Sequence, residues 1–338
     1  MRPKTISVAL AWGLASSNLT MPALLSTYTR PLKTLASDCG EHHLARFVPQ
    51  GFGQPEQQSW EIPLRHLDPE PQVEIWATDR PLQHAADEAG MCWREHSELA
   101  MGELRLAMST NTDLYSLAQE AYARLFGWLH QRPGWTLWRV WHYFPDIHAG
   151  VGDAEAYRRF VSGRYAEFQR QQLPLSAYPA ATVIGSDTGD LVLHFIAGRA
   201  ATVALENPRQ VSAFCYPRQY GQHSPSFARA RHLRSDDFDQ VPLLVSGTSS
   251  VVGHRSTHAG DWQAQLKDTQ INLQTLRSQC AASLQLQSLR LYLTPQVPAA
   301  TARQCLQAQA PGSLPLMTLQ GDVCRADLSL EIEGVWGR

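Results

Sequence analysis

The amino-acid sequence predicts an α+β protein built from two tandem copies of one unit. The chain has 338 residues, which is longer than a usual single domain. From residue 112 onward, segments with apolar side chains every three or four positions alternate with short apolar runs, as expected for helices and strands. The order helix, strand, helix, strand, strand occurs twice, so we interpret the chain as an internal duplication.

The first copy opens with a helix near residue 112, where Thr112 or Asp113 can cap the helix start. Pro133 and Gly134 end this helix. The remaining elements follow in the order strand, helix, strand, strand, at residues 136–143, 154–169, 180–185 and 191–197. Upstream, residues 22 to about 105 give weaker signals, with predicted strands at 73–77 and 103–108.

The second copy is introduced by a buried strand at residues 243–245. Gly247, within or just after this strand, indicates a place where another group approaches the backbone closely. The charged residues 234–239 before it predict a hairpin turn. The elements that follow are a helix, a strand, a helix and a strand, at residues 261–280, 288–293, 298–309 and 314–319.

The last strand-like run, residues 323–335, alternates apolar and polar side chains and predicts one half-buried strand. Its apolar positions would face the core. Glu331 and Glu333 would project together from the other face, because side chains two apart on a strand share a face. Cys324 lies upstream on the same run. A solvated strand face and a functional carboxylate pair are both consistent with this pattern.

The composition limits the possible classes of function. A hydrophobic content of 43% with 18% charged residues predicts a folded protein with sizeable cores. The net charge of −2 gives no electrostatic basis for binding nucleic acid. The six cysteines show no metal-binding spacing, which favours free thiols in a reducing cytoplasm. No apolar stretch approaches the ~20 residues of a membrane span.

Two local sequence features, the N-terminal segment and a pair of histidines, are not assigned a function. Residues 1–25 are predicted to be a disordered or artefactual leader, because the apolar run at 6–15 is short for a signal peptide and no clear cleavage site follows. His254 and His258 are spaced as two ligands on one helical turn would be. No glutamate stands between them and no third ligand is evident, so no metal site is predicted.

Several segments together resemble a known family. They are Tyr-Gly-x-x-x-Pro-x-Phe-Ala-Arg-Ala at 220–230, the run 245–254 that contains Ser-Gly-Thr at 246–248, Leu-Glu-Ile-Glu-Gly-Val at 330–335 with Cys324 seven residues before Glu331, and the segments at 139–143, 157–160, 163–164, 179–182 and 206–214. This combination, spread over residues 136–335, resembles the chorismatases, which are built on the YjgF-like (RutC-like) fold of the reactive-intermediate deaminases. The strand at 314–319 lacks the arginine with which those deaminases bind a carboxylate, so the sequence disfavours deaminase activity.

The resemblance implies a fold of two tandem YjgF-like units, each a mixed sheet with helices on one face. The boundaries we predict are 26–205 for the N-terminal unit and 206–338 for the C-terminal unit. The resemblance also implies chorismate as substrate, pyruvate as one product and no cofactor. The chain would be a cytoplasmic monomer or homotrimer, and the resemblance extends to enzymes that supply 3- and 4-hydroxybenzoate for pigment and ubiquinone synthesis.

Gly247 and Cys324 fit the hydroxybenzoate-forming branch, in which a glycine and a last-strand cysteine face the substrate. Two alternatives remain open. One is the hydrolytic branch, which releases a dihydroxycyclohexadiene carboxylate with pyruvate. The other is a non-catalytic protein that binds small carboxylates.

The predicted chemistry requires an acid, because cleavage of an enol ether begins with protonation of its methylene carbon. Glu331 is the predicted general acid, and burial or the like charge of Glu333 would raise its pKa to suit that role. Cys324 is predicted to shape the pocket and to steer the product. The substrate has two carboxylates, which suit forked guanidinium groups. Arg164 and Arg229 are the predicted partners, with Arg209 third, and Tyr143 and Tyr220 are predicted to add hydroxyl hydrogen bonds.

Overall fold

The computed structural model describes residues 26–31, 43–51, 59–78, 80–87, 90–187, 189–234, 242–281, 283–308 and 314–337. The predicted leader at 1–25 lies outside these ranges, as does nearly all of the predicted hairpin turn at 234–239. Within the described ranges, no helix is long and apolar enough to cross a membrane.

A small sheet comes first in the chain. Its strands, in the spatial order β1-β4-β2-β3, are β1 (Ser26–Pro31), β2 (His43–Pro49), β3 (Trp60–Ile62) and β4 (Gln72–Ala77). Only β4 was expected from the sequence, because β1 and β2 carry charged or histidine residues and β3 has only three residues. The side chains of Phe47 and Trp76 are fully buried against the larger sheets.

The first large sheet, called the first sheet below, has seven strands. Six of these strands lie in the part of the chain that also contains the first two helices, and the seventh, β18, comes from near the C-terminus. The elements of this part are β5 (Gln83–Ala86), β6 (Met91–His96), β7 (Leu99–Leu106), α1 (Leu114–His130), β8 (Thr136–Pro145), α2 (Ala156–Arg170), β9 (Ala180–Ser186) and β10 (Leu191–Gly198). Asp113 caps α1 by accepting hydrogen bonds from the amides of Tyr115 and Ser116. Of the two cap residues that the sequence allowed, Asp113 is therefore the one used.

The second large sheet, called the second sheet below, has six strands. The elements of this part of the chain are β11 (Ala201–Leu205), β12 (Ala230–Arg234), β13 (Leu243–Thr248), β14 (Val251–Val252), β15 (Arg255–Ser256), α3 (Trp262–Arg277), β16 (Gln285–Leu293), α4 (Ala299–Gln307), β17 (Leu316–Gln320), β18 (Asp322–Val323) and β19 (Leu330–Gly337). The strands β14 and β15 form a separate hairpin.

The two large sheets share one strand order. The first sheet runs β9-β8-β10-β7-β6-β5 and the second runs β17-β16-β19-β13-β12-β11, with β18 added to the first at its β9 edge. In each sheet the first pair, β8 with β9 or β16 with β17, is parallel. The remaining pairs are antiparallel. The prediction of an α+β fold with mixed sheets is therefore confirmed.

The helices lie on the outer faces of the molecule. The α1 and α2 helices pack on one face of the first sheet, and α3 and α4 pack on one face of the second. The two inner faces and the small sheet meet in a third core that contains Trp138, Trp141 and Tyr292. Because each large sheet is covered on both sides, its strands carry buried residues on both faces.

Two sequence predictions are corrected by this arrangement. The run 323–335 is not one strand, because β18 pairs with β9 of the first sheet and β19 begins only at Leu330. Cys324 therefore lies in the connection between these strands and not on the last strand. In addition, β11 was placed in the N-terminal unit by the predicted boundary at 205, but it pairs with β12 in the second sheet.

The expected half-burial of the last strand is also wrong. All eight residues of β19 are buried, including Glu331 and Glu333. Alternation along a strand predicts correctly that the two glutamates share a face. That face is covered by the first sheet, which belongs to a distant part of the chain.

Candidate functional site

A cavity of about 670 Å³ lies where the two large sheets meet. Its walls come from α2 and β9 on one side, and from β13, β19, residues 216–229 and the β18–β19 connection on the other. Six of the eight predicted site residues line it, namely Arg164, Tyr220, Arg229, Gly247, Cys324 and Glu331. A volume of this size suits a small organic ligand.

Glu331 is the buried acid of this cavity, with 5% of the residue exposed. Its Oε2 accepts a hydrogen bond from Ser249 Oγ at 3.2 Å. Burial, and then the negative charge of Glu333, raise its pKa from 4.5 to about 8 against the smaller opposing effects of Ser249, Arg139 and Arg229. Glu331 therefore carries a proton at neutral pH and can donate it.

Glu333 is only two residues away on the same strand face but has different surroundings. It accepts hydrogen bonds from Arg139 Nη2 and Thr182 Oγ1, from Trp141 Nε1 at 2.6 Å and from Tyr292 OH at 3.0 Å. Glu333 thus receives four donors, and its negative charge acts on Glu331.

Gly247 makes room for the Glu331 carboxyl group. A Cβ built at Gly247 would overlap Glu331 Oε1 and would lie 3.1 Å from Thr182 Oγ1. The pairing of β13 with β19 shifts register between Val245 and Thr248, so Gly247 lies in a bulge. The Gly247 amide donates to Thr182 Oγ1 at 2.9 Å. The close approach predicted at this glycine is thus an approach by the acid itself.

Arg164 and Arg229 supply positive charge to the cavity. Arg164 is 2% exposed, donates to the carbonyl of Ser226 and lies over the rings of Tyr122 and Phe168. Within the residues that the structure describes, neither arginine forms an ion pair with a carboxylate, whereas the buried Arg139 and Arg290 of the inner core do. Both charges are therefore available to an anionic ligand.

Arg229 has a further unused donor. Its Nη2 donates to the hydroxyl of Tyr216 and to the carbonyl of Val211 at 3.2 Å. Its buried Nε, in contrast, has no hydrogen-bond partner in the described part of the chain. A buried donor without a partner is costly unless a ligand completes it.

Tyr220 lies in a stacked group on the cavity wall. Its hydroxyl is 3.1 Å from His254 Nδ1, and the guanidinium of Arg325 lies 4.0 Å from its ring centroid. Arg325 Nη1 donates to the His254 carbonyl at 2.9 Å. His254 lies in the turn between β14 and β15, His258 lies two residues after β15, and neither is on a helix. No group of three metal-binding side chains occurs among the residues described.

Cys324 lines the cavity from the β18–β19 connection. Burial, and then the charge of Glu331, raise the pKa of its thiol to about 12. The side chain is therefore a neutral thiol at physiological pH and lacks the thiolate form that a nucleophile needs. This agrees with a role in shaping the pocket.

Two candidate residues lie outside the cavity. Tyr143, predicted to bind substrate, is fully buried in the inner core, where its hydroxyl accepts from Arg290 Nη1 at 3.1 Å and lies 3.3 Å from Tyr292 OH. The structure therefore does not bring Tyr143 to the cavity, because its side chain points into the inner core beside Arg290 and Tyr292. Arg209, the third arginine, instead pairs with Asp268 Oδ1 at 2.6 Å.

The structure also adds residues that sequence reasoning missed. Thr182, Ser249 and Tyr157 line the cavity, and all three fall inside segments used for the family resemblance. The sequence of those segments gave no reason to assign these three side chains a catalytic or binding role. Arg325 directly follows Cys324, and only this adjacency could have drawn attention to it.

The fold and the cavity define a class of protein with a two-sheet α+β architecture and a site for a small anion beside a buried, protonated glutamic acid. Residues 74–197 match the family described as chorismatase FkbO/Hyg5-like, N-terminal. A "3-hydroxybenzoate synthase" of Streptomyces hygroscopicus is 33% identical over 282 residues, covering 79% of this chain and 82% of that protein. The chain therefore belongs to the chorismatase FkbO/Hyg5-like family.

Two further relatives agree with this assignment. A "Chorismatase" of Streptomyces rapamycinicus is 29% identical over 278 residues, covering 78% of this chain and 81% of the relative. A crystal structure of a chorismatase has 25% sequence identity and a TM-score of 0.81, covering 94% of this chain and 99% of that one. The resemblance inferred from the sequence motifs is thus confirmed at the level of the family.

Proposed function

We propose that this protein is a lyase that converts chorismate to 3-hydroxybenzoate and pyruvate. The observation that carries the proposal is the Glu331 carboxyl group, buried in a cavity that also presents Arg164 and Arg229, neither of which forms an ion pair with a carboxylate of the described residues. Burial and the charge of Glu333 raise the pKa of this carboxyl group to about 8. The names of two Streptomyces relatives, "3-hydroxybenzoate synthase" and "Chorismatase", support the substrate and the aromatic product. Formation of some 4-hydroxybenzoate belongs to the same proposal.

Arg164 and Arg229 would bind the two carboxylates of the substrate. Glu331 would donate its proton to the methylene carbon of the enolpyruvyl group, which leaves a cationic centre on the ether carbon. The bond between the ether oxygen and the ring then breaks, and that oxygen departs as the ketone oxygen of pyruvate. The neighbouring ring hydroxyl attacks the vacated carbon and returns its proton to the Glu331 carboxylate, which forms an arene oxide. The bond from that oxygen to its original ring carbon then breaks, the oxygen takes up a proton, and the carbon that now carries the oxygen loses its hydrogen as a proton, which gives 3-hydroxybenzoate.

This route consumes no water, so the atoms of chorismate equal those of the two products. Cys324 and the buried walls of the cavity would limit the entry of water. A water molecule that attacked the ring would instead give the dihydroxycyclohexadiene carboxylate of the hydrolytic branch.

The test is to incubate the purified protein with chorismate and a metal chelator in ¹⁸O-labelled water. We expect pyruvate and 3-hydroxybenzoate in equal amounts, with no label on the ring. Release of pyruvate with a labelled, non-aromatic diol would show that the protein catalyses the reaction of the hydrolytic branch. Absence of pyruvate would contradict any action on chorismate and would leave a carboxylate-binding protein.

We also infer that each large sheet with its two helices is one YjgF-like unit, and that the boundary between the units lies near residue 200. The shared strand order of the two sheets supports the repeat. The pairing of β11 with β12 supports the earlier boundary. Expression of residues 26–200 alone, followed by limited proteolysis, would test whether the first unit folds independently.

A further inference from the structure

Thr182 forms an unusual link between the two large sheets. It lies on β9 of the first sheet, yet its hydroxyl bonds to two groups of the second. Its Oγ1 accepts from the Gly247 amide on β13 at 2.9 Å and donates to Glu333 on β19. It also accepts from Arg139 Nη2 on β8. A hydroxyl has one hydrogen and two lone pairs, so these three bonds use its full capacity.

The two partners of Thr182 in the second sheet are both neighbours of Glu331. Gly247 provides the space that the Glu331 carboxyl group occupies. Glu333 shares the face of β19 and presents its charge to Glu331. Thr182 also lines the cavity, but its hydroxyl cannot turn toward a ligand without giving up one of its three bonds.

We propose that Thr182 is a positioning residue for the proton donor. Its hydroxyl fixes the Gly247 bulge and the Glu333 carboxylate relative to each other, and so fixes the place of the Glu331 carboxyl group between them. This inference rests on the proposed function, because it assigns a role in the delivery of the Glu331 proton. The arginines that would hold the substrate, Arg164 and Arg229, do not bond to Thr182.

A Thr182→Val variant keeps the shape of the side chain and removes the hydroxyl. The Gly247 amide loses its acceptor, Arg139 loses one acceptor and Glu333 loses one donor. The bulge is then free to shift, and displacement of a reacting group by about 1 Å costs up to about a hundredfold in rate. We expect kcat for chorismate to fall about tenfold to a hundredfold while KM stays within about twofold.

The experiment measures kcat and KM for Thr182→Val, Thr182→Ser and a matched control, Thr318→Val. Thr318 is also a buried strand threonine whose hydroxyl accepts from an arginine, Arg303, at 2.9 Å, but it lies outside the cavity. We expect Thr182→Ser to restore kcat to within about threefold of wild type, and Thr318→Val to change it by less than about twofold. If Thr182→Val does not fold, Thr182→Ala is compared with Thr182→Ser, since that pair differs only by the hydroxyl.

Three results would overturn the proposal. One is an unchanged kcat in Thr182→Val or Thr182→Ala. Another is a rise in KM at constant kcat, which would make Thr182 a substrate contact. The third is a serine variant as slow as the valine variant. A wild-type protein that forms no pyruvate would overturn the proposed function itself, whereas an active wild type beside any of these three results overturns only the role of Thr182.

Discussion

Two buried carboxyl groups of this protein, those of Glu74 and Glu331, behave in opposite ways. Glu74 lies in the inner core and accepts hydrogen bonds from Arg290 Nη2, Ser288 Oγ and Trp76 Nε1, each at 2.6 Å. Burial alone would raise its pKa, but Arg290 and these donors outweigh burial and hold the pKa below its usual value. Among the described residues, Glu331 has a single hydroxyl donor and a like charge beside it, and its pKa rises to about 8.

The comparison shows that burial alone does not decide the state of a carboxyl group. A complete set of donors makes Glu74 a structural anion that joins the small sheet to the second sheet. An incomplete set leaves Glu331 as a neutral acid facing a cavity. The chain thus places a stabilising carboxylate and a reactive one in the same interior by controlling which partners each receives.

The largest effect is expected from Glu331→Gln. The amide has nearly the same shape as the protonated carboxyl group but cannot donate a proton to carbon, so turnover of chorismate should fall about 10²- to 10⁴-fold. The measurement is pyruvate release, with thermal unfolding as the check on folding. Glu120→Gln, on the exposed face of α1, serves as the control. Turnover close to that of wild type would remove Glu331 as the acid.

Substitutions in the inner core should change the stability of the protein more than its catalytic rate. Arg290→Met leaves Glu74 buried without its cation, which should lower the free energy of unfolding by about 3–5 kcal/mol. Adding Glu74→Gln to that variant removes the unpaired charge and should recover part of the loss. Denaturant unfolding of the two single variants and the double variant measures this. Additive losses in the double variant would contradict the coupling of the pair.

The pH dependence of activity should reveal the effect of Glu333 on Glu331. The protonated acid is the active form, so activity should be full below about pH 8 and should fall as the pH rises through that value. Glu333→Gln removes the like charge and leaves Arg139 without its partner, and both changes favour ionised Glu331. The falling limb should therefore move to lower pH by on the order of one unit. An unmoved limb, or one at higher pH, would show that Glu333 does not act on the donor.

The smallest effect on rate is expected from Cys324→Ala. The thiol is neutral, so its removal should leave turnover within a few-fold of wild type. The substitution enlarges the cavity beside Glu331. The ratio of 3-hydroxybenzoate to other products should therefore change more than the rate. Chromatography of the products measures this, with exposed Cys215→Ala as the control. An identical product ratio in both variants would count against a steering role for Cys324.

The sequence predicts the local features of this fold better than its long-range ones. The helices α1 to α4 begin and end within a few residues of their predicted bounds, because their apolar spacing and caps are local signals. The shared face of Glu331 and Glu333 follows from strand geometry alone. The burial of that face could not be predicted, because the residues that cover it, such as Arg139 and Trp141, precede it by about 190 positions.

The sequence likewise predicted only some of the residues of the site. Motif resemblance named Arg164, Arg229 and Gly247, which line the cavity. It also named Tyr143, whose hydroxyl lies in the inner core beside Arg290 and Tyr292, residues about 150 positions away in the chain. It treated Cys324 as a strand residue because alternation continues through the connection that the structure shows. Arg325 gives no periodic signal, since it owes its place to stacking on Tyr220.

The two-residue strand β18 has a consequence for how such a protein can change over generations. It belongs to the C-terminal part of the chain but pairs with β9 of the first sheet. Glu331 is likewise surrounded by groups from both halves of the chain, such as Arg139 and Ser249. In an assembly of identical subunits, every substitution would appear in all copies at once. Here each half can be altered separately, so one half can keep the acid while the other specialises in its surroundings.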